Sequence, residues 1–508
     1  MAYTRINAYD ADCFYPSFAG LSQYGDGIDT DPRFSPDASN LDTPAGVLQP
    51  FARNTAFKSP VKSEGQSPPI QTLMHLYDRA NEKDLLIAAV QNELYWIETG
   101  AAGVIWTKVQ TEGGAAFQSG EWSWVTYENE GQDVLLISNA KDGMFSLSYN
   151  GGSMSAEAVD TSAEEGGTPY KFGVIERYAE RIWGGAIEDE PDKLVYSRAF
   201  EPMNWRTGAI IPADAAGDVD QPSWDGDAFT ALRSFGSQLI AFKRTRVWRV
   251  LGTSPGNYEF REQYGGGMPY ANTIAVDAER IYGLTDQGVV VYDGNTVDPF
   301  LQTQCCDIWR RMTKSALNQS AACLFRGKYY IAFPIDGSTI NNAVVIYNSI
   351  DGTWLLRNDI TVESFLTTEN ALYYTNSSTP GLVWKWNEDA WQTGIASTAP
   401  CRWVTPWQDL GYKRMNKGPF KVYLLAEVKD KPAVLKISLQ TDKRMQTKEI
   451  RIDPQLEWEH KKNESAHQKV IHFTGECRRF RLIIETEKEQ PVWRLTSGLM
   501  VVCDVSSD

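Results

Sequence analysis

Several clusters in this chain carry residue types that ligand or proton chemistry needs. The first is the acidic run Glu188, Asp189, Glu190 and Asp192, inside the stretch RIWGGAIEDEPDKLVYSRAFEPMNW at Arg181–Trp205. Carboxylates this close could hold calcium, but a calcium loop has a glycine at its turn and this one has Pro191. The second is Asp218, Asp220, Asp225 and Asp227 in GDVDQPSWDGD, which offers the same oxygen ligands. Asp26, Asp29 and Asp31 do not complete a calcium-binding pattern. His460, Glu464 and His467, in HKKNESAHQ, would share one face of a helix and could ligate a transition metal. Their surroundings are charged and lie between two strand-like runs, which favours a solvated loop. The vicinal pair Cys305–Cys306 invites a redox reading, yet buried cysteines more often behave as small hydrophobes.

Motifs of established mechanism are missing. The chain has no G-x-S-x-G, no HExxH and no phosphate-binding loop. The run SIDGTW at Ser349–Trp354 is one residue short of an Asp-box and occurs once. We therefore expect no catalytic residue, no cofactor and no metal.

The elements that would position these residues are short strands. Seven apolar runs recur, at Leu85, Val134, Ile182, Leu239, Ile281, Tyr329 and Leu372, spaced by 49, 48, 57, 42, 48 and 43 residues. Each is followed by a second run rich in Tyr, Trp or Val, such as LYWIE, MFSLSY, LVYS and VVVYDG. A third run often precedes the pair and a fourth often follows, all bounded by Gly, Asn, Asp and Pro. Four strands per unit of about 40–50 residues is the footprint of a β-propeller blade. A blade apolar on both faces cannot bury either alone, so blades stack until the ring closes. The expected fold is all-β: a propeller of about seven blades over residues 63–398. The last unit lacks a clear fourth strand, and VLQPFARN, at 47–54, is the expected latch. EDEPDK then becomes a hairpin loop within blade three. Tryptophans such as Trp96, Trp106, Trp183, Trp248, Trp384 and Trp386 sit inside strand patterns and are expected between blades, although a sugar-binding platform is the other use of such residues. A propeller glycosidase would need paired carboxylates across a pocket, which plentiful acidic residues leave open.

Two flanking regions differ. Residues 1–62 are rich in Pro, Asp, Ser, Gly and Asn, yet keep Phe14, Tyr15, Phe18, Tyr24, Phe34 and Phe51. That composition predicts an extended arm ordered by packing on something else. Residues 399–508 show longer alternating strands, which predict an antiparallel β-sandwich. Charge divides at the same place: from Cys401 onward 20 Lys+Arg face 15 Asp+Glu, a net of +5, which leaves −21 over residues 1–400 of the chain's −16.

The 508 residues, 42% hydrophobic and 12% aromatic, are ample for a core. The acidic balance argues against sequence-independent nucleic-acid binding and against docking on an anionic membrane. Seven cysteines without a CxxC fit a reducing compartment. MAYTRINAYDAD is not a secretion signal, and no apolar run reaches membrane-spanning length.

The stretch Arg181–Trp205 resembles a blade of tailed-phage virion proteins, with its small-residue strand end, a loop of Pro and Asp, VYxS and a closing P-x-N-W. The arm FAGLSQYGDGIDTDPRFSPDASNLDTPAGVLQPFARN and the ending RRFRLIIE…WRLTSGLMVVCDV are similar to theirs as well. The family is that of β-propeller tail proteins, including the tail-nozzle and packaged-DNA-stabilising proteins of short-tailed bacteriophages. The resemblance implies a structural virion protein, assembled in the host bacterial cytoplasm into a homo-oligomeric ring around the tail channel. Its partners would be neighbouring portal, adaptor or tail proteins, with DNA passing through without tight binding and with no membrane anchor. The arm would suit docking on a neighbour. The alternative is a carbohydrate-binding or receptor-binding tail propeller.

Overall fold

A computed structural model describes the chain except residues 1–8, 25–29, 64, 115, 130, 221–226, 264, 301, 455–466, 497 and 507–508. It is mostly β, with 49% strand and 7% helix. No helix among the described residues is long and apolar enough to cross a membrane.

Seven sheets follow one another along the chain, each built on an antiparallel meander, with Gln110–Thr111 added in parallel to the second. Their first strands are Ile70–Asp78, Ser123–Asn129, Val174–Tyr178, Ala231–Phe235, Ala275–Val276, Ala321–Phe325 and Phe365–Thr367. Each first strand is followed by the apolar run singled out in the sequence, from Lys83–Val90 in the first sheet to Leu372–Thr375 in the seventh. The runs are apolar because both of their faces are covered; Lys83–Val90 has Leu85 to Val90 buried without a break.

The covering is done by neighbouring sheets. Separate hydrophobic clusters join the first sheet to the second, through Leu76 and Leu135, and the second to the third, through Leu136 and Ile182. Others join the third to the fourth, the fourth to the fifth, the fifth to the sixth and the sixth to the seventh. One more cluster joins the seventh back to the first, through Tyr373, Leu366, Leu86 and Leu73.

The long interval between Ile182 and Leu239 has a structural cause. In the third sheet a loop over residues 197–216 separates the third strand, Lys193–Tyr196, from the fourth, Gly217–Asp220. The paired glycines of IWGGAI are needed for packing: a Cβ on Gly184 would lie 2.4 Å from the Phe172 ring, and one on Gly185 2.8 Å from Leu194.

The described residues of the arm pack largely on their own chain. Gly20–Leu21 adds to the edge of the sixth sheet beside Trp354. Gly20 has φ +142°, and a Cβ there would meet the Trp354 carbonyl at 2.6 Å, so glycine is required. The seventh sheet takes its fourth strand from Thr55–Phe57, paired with Val383–Lys385. The expected latch, residues 47–54, therefore lies just upstream of the real one. Gln49–Pro50 pairs instead with Leu41–Asp42, and Pro50 has no N–H with which to join a ladder fully.

Two further five-stranded sheets follow the seventh. The first contains Tyr9–Tyr15, Leu499–Ser506, Asn416–Val428, His467–Phe473 and Trp493–Leu495; the second contains Met445–Ile452, Ala433–Thr441, Phe480–Thr486, Cys401–Val404 and Asp37–Ser39. Both thus accept a strand from the arm. Trp493–Leu495 and Leu499–Ser506 are separate strands, with Gly498 at φ +108° between them. Side chains of both sheets, the arm and the fifth and sixth sheets share one core. Phe18 of the arm meets Trp403 edge to face at 5.4 Å, and Phe420 meets Phe480 at 5.0 Å. Asn40, at φ +59°, joins three segments: its N–H donates to Leu356 O, its Nδ2 to Pro400 O at 2.9 Å, and its Oδ1 accepts from Asn358 N at 2.9 Å.

Replacing Thr55–Phe57 by Gly-Ser-Gly removes the Phe57–Tyr373 ring contact at 5.1 Å and weakens the ladder. The expected outcome is a melting point lower by several degrees, with faster amide exchange in the seventh sheet than in the third. Uniform exchange across both sheets would contradict a closing role for this strand.

Candidate functional site

The first strands of neighbouring sheets touch one another: 123–129 meets 174–178, 174–178 meets 231–235, 321–325 meets 365–367, and 365–367 meets 70–78. These first strands line one edge of the sheet array. The polar side chains there reach for the backbone of the next sheet. Thr72 Oγ1 donates to Gly120 O at 2.8 Å and accepts from Trp122 N at 3.0 Å. Ser123 Oγ accepts from Ile175 N at 2.9 Å. Glu176 accepts from Ser234 N and lies 3.9 Å from Arg233, whose guanidinium reaches Ile274 O.

Burial pushes the Glu176 carboxyl up to about 7, with Arg233 opposing the rise. A half-protonated carboxyl at neutral pH is a familiar acid–base group. Glycoside cleavage needs a second carboxyl within about 5–10 Å, but the group facing Glu176 is a guanidinium. The chemistry on display is that of a staple between sheets.

The acidic loop sits where the sequence put it, in the hairpin between Arg181–Gly185 and Lys193–Tyr196. Two of its carboxylates have structural partners. Glu190 pairs with Lys193 at 2.6 Å, and Asp192 pairs with Lys243 of the fourth sheet, whose side chain is wholly buried over the Phe229 ring. Glu188 and Asp189 are exposed. Burial of an ammonium is tolerated only with a counter-charge beside it, and the loop provides one.

The described residues among the other candidates meet separate partners. Asp218 lies in the fourth strand of the third sheet, 4.0 Å from Lys193, and Asp227 accepts from Arg244 N at 3.1 Å. Asp225 and the Asp220 side chain lie outside the described residues, as do Asp26, Asp29, His460, Glu464 and the His467 side chain. Asp31 chelates Arg33 at 2.7 Å. Among the described residues no group of three His, Cys, Asp or Glu is arranged to hold a metal. Cys305 is buried, with its thiol raised by desolvation, and Cys306 is half-buried. Asp351 of SIDGTW closes a turn, accepting from Thr353 Oγ1 at 2.5 Å and Asn348 Nδ2 at 2.9 Å.

Tryptophans fill the spaces between sheets. Trp183 is fully buried with Tyr196 at 4.8 Å. Trp205, which closes the opening stretch, packs on Phe172 at 4.8 Å between the second and third sheets. Sequence reasoning missed Arg181. Its guanidinium is fully buried and donates to Ser197 O at 2.7 Å, Ala215 O at 2.8 Å and Ala213 O at 2.5 Å, fixing the base of the 197–216 loop. An arginine opening a strand carries no signal of that task.

No protein-family model matches the chain, and no curated protein does. Among solved structures, the chain is similar to the Pan2 WD40 domain of Neurospora crassa, at 9% identity and TM-score 0.39, over 67% of this chain and 96% of that one. It is also similar to the extracellular domain of a putative hybrid two-component system of B. thetaiotaomicron, at 12% identity and TM-score 0.42, over 86% of this chain and 64% of that one. A putative one-component system of the same organism gives 10% identity and TM-score 0.42, over 89% and 62%. The chain thus spans less than two thirds of those two domains.

Two tests follow from this geometry. A carboxyl that ionises near 4.3 when unfolded and near 7 when folded leaves the folded state holding the extra proton in between. Stability must fall as pH rises through that window, by at most about 4 kcal/mol. Glu176→Gln is expected to melt like the wild type at pH 5 and several degrees above it at pH 8; identical wild-type and variant curves at both pH values would contradict this. In urea, Asp192→Ala is expected to lose about 3–5 kcal/mol by taking a counter-charge from buried Lys243, while Glu188→Ala and Asp189→Ala stay within about 0.5 kcal/mol. Equal midpoints for all three would remove the structural role assigned to the loop.

Proposed function

We propose that this chain is a non-enzymatic structural protein of a tailed-bacteriophage virion, part of the tail or neck. In this reading the seven sheets close as a seven-bladed β-propeller over residues 63–398, the C-terminal pair of sheets over 399–508 is a β-sandwich, and the arm over 1–62 binds the two. Copies of the chain form a ring around the tail channel, between portal, adaptor or tail proteins, and help retain or conduct DNA. Assembly takes place in the host cytoplasm.

One observation carries the reading: the polar groups at the inner edge of the array, Thr72, Ser123, Glu176 and Arg233, are engaged by neighbouring sheets and not turned toward a ligand. That suits a building piece. The likeness of Arg181–Trp205 to tail-protein blades supplies the setting. The net charge of −21 over residues 1–400 supports a conduit role, because like charge repels phosphate and lets DNA slide.

A second reading, carbohydrate or receptor binding, has its own observation. A cleft of about 560 Å³ between the first two sheets is lined by Gln71, Gln91, Asn92, Gln118 and Ser119, and side-chain amides pair well with sugar hydroxyls. Cryo-electron microscopy of purified particles is expected to find this chain as a symmetric ring on the tail axis. Absence from particles would overturn the structural reading, and binding on a bacterial glycan array that is lost in Gln91→Ala with Asn92→Ala would favour the second.

A further inference from the structure

The chain is acidic as a whole, yet one end of the C-terminal pair of sheets is basic. Three segments meet there. Phe480 pairs with Thr441 on one side and exchanges two hydrogen bonds with Gln408 on the other, at 2.8 and 3.0 Å. Segments 406–416, 441–444 and 474–481 are thus brought together, and they hold seven Lys and Arg against three Asp and Glu. Lys413, Arg414, Lys443, Arg444, Arg478 and Arg479 are exposed, and Arg481 is half-buried. Among the described residues none of these seven has a carboxylate oxygen within 4.0 Å, whereas Arg79, Arg261 and Arg311 elsewhere on the surface all do. Two of the three acids close turns instead: Asp409 accepts from Gly411 N at 2.9 Å and Asp442 from Arg478 N at 3.3 Å.

The fold holds these cations in place. Buried Lys417 donates to Tyr412 O at 2.6 Å, Met415 O at 3.0 Å and Arg478 O at 2.7 Å, tying the first segment to the third. It is an ammonium held by carbonyls, so it adds to the positive field. Arg444 Nη2 donates to Thr474 O at 2.5 Å, and a Cβ on Gly475 would lie 2.0 Å from that nitrogen, so glycine makes the room. Arg479 and Arg481, two residues apart, both lie over the Trp407 ring, at 4.9 and 4.7 Å. Stacking engages the guanidinium face and leaves the in-plane N–H groups for acceptors; Arg481 Nε finds Gln440 Oε1 at 2.8 Å. Burial and the Arg402 and Arg479 guanidiniums pull the Arg481 pKa below its ordinary value, with Asp37 opposing. The cluster is short of negative charge.

We propose that this end of the C-terminal sheets binds the phosphate backbone of duplex DNA without reading its sequence. Arginine outnumbers lysine five to two there, and the guanidinium fork meets phosphate oxygens two at a time. Cations spread over three segments suit a repeating polyanion, whereas one small anion would call for a single cradle. An acidic protein partner would call for an apolar centre to the contact, and the Trp407 ring is already covered by guanidiniums. Phosphate contacts alone position a protein on the duplex and carry no sequence information. At physiological salt charges act over about 8 Å, so these local cations set the contact, and the chain's net −16 does not. The choice of DNA as the polyanion rests on the virion reading above; the phosphate contact needs no ring.

The test measures binding of the full-length chain to a fluorescein-labelled duplex of about 30 base pairs by fluorescence anisotropy, over about 50 to 300 mM NaCl. With about four phosphates engaged, log affinity is expected to fall against log salt with a slope of roughly −4. Two duplexes of unrelated sequence are expected to bind alike. Arg479→Gln with Arg481→Gln is expected to weaken binding at least about tenfold and to flatten the slope by about 2. Lys443→Gln with Arg444→Gln is expected to do the same from a different segment, so the test does not hang on one variant's folding, which melting curves check. Arg261→Gln with Arg310→Gln, whose arginines already pair with Glu259 and Asp307, is expected to bind like the wild type. No binding at the lowest salt, or wild-type binding by both basic-end variants, overturns the proposal. So does poly-glutamate that displaces the duplex as well as unlabelled duplex does at equal charge, because the end would then serve an acidic protein. None of these outcomes touches the ring reading, which is decided on particles. A chain absent from particles that still binds the duplex upholds the phosphate contact and removes the virion as its setting.

Discussion

A three-residue strand, Thr55–Phe57, completes the seventh sheet from the far side of the sequence. Each of the seven sheets is apolar on both faces and takes its cover from the sheets beside it. A chain of such sheets left open would expose two apolar faces, one at each end. The cluster of Leu73, Leu86, Leu366 and Tyr373 removes both exposures at once, and the strand from the arm ties the seventh sheet to the segment leading into the first. The driving force is apolar burial, at roughly 25 cal/mol per Å², and it is available only if the ends meet. The loop over residues 197–216 is carried by a sheet covered in the same way on both faces.

The arm does more than close the array. Its strands join the sixth sheet, the seventh sheet and both C-terminal sheets. Its aromatic residues Tyr15 and Phe18 enter a core shared with Trp354 and Trp403. The aromatics that seemed out of place in a segment so rich in Pro, Asp and Ser are the anchors by which it is held. One continuous core across the junction at residue 400 makes the C-terminal sheets an extension of the array.

Much of this was legible because strand chemistry is local. The recurrence from LLIAAV at Leu85 to LYYT at Leu372 marked a buried strand in each of the seven sheets, and EDEPDK read correctly as a hairpin loop. The recurrence of short strands was readable from spacing, although the 57-residue interval hid a long loop inside one sheet. What was not legible depends on distant partners. Thr-Ala-Phe at 55–57 has no period of its own, so the latch was placed a few residues early. GDVD looked like a ligand set and contains an edge strand, because acidic residues are tolerated where one side faces solvent. Lys243 needs Asp192 from 51 residues away, and nothing near either residue announces the pair. Arg181 gathers three carbonyls brought together only by folding, while the neighbours of Glu176 belong to a strand some sixty residues on.

The pairing of Tyr9–Tyr15 with Leu499–Ser506 has a bearing on how the molecule is made. Tyr9–Tyr15 leaves the ribosome long before Leu499–Ser506 does, and its ladder waits for that strand. Intermediate sheets can collapse in order as they emerge, through contacts local in sequence, whereas Tyr9–Tyr15 has its partner far along the chain. A prematurely terminated product would therefore display an unmated, aromatic-bearing ribbon.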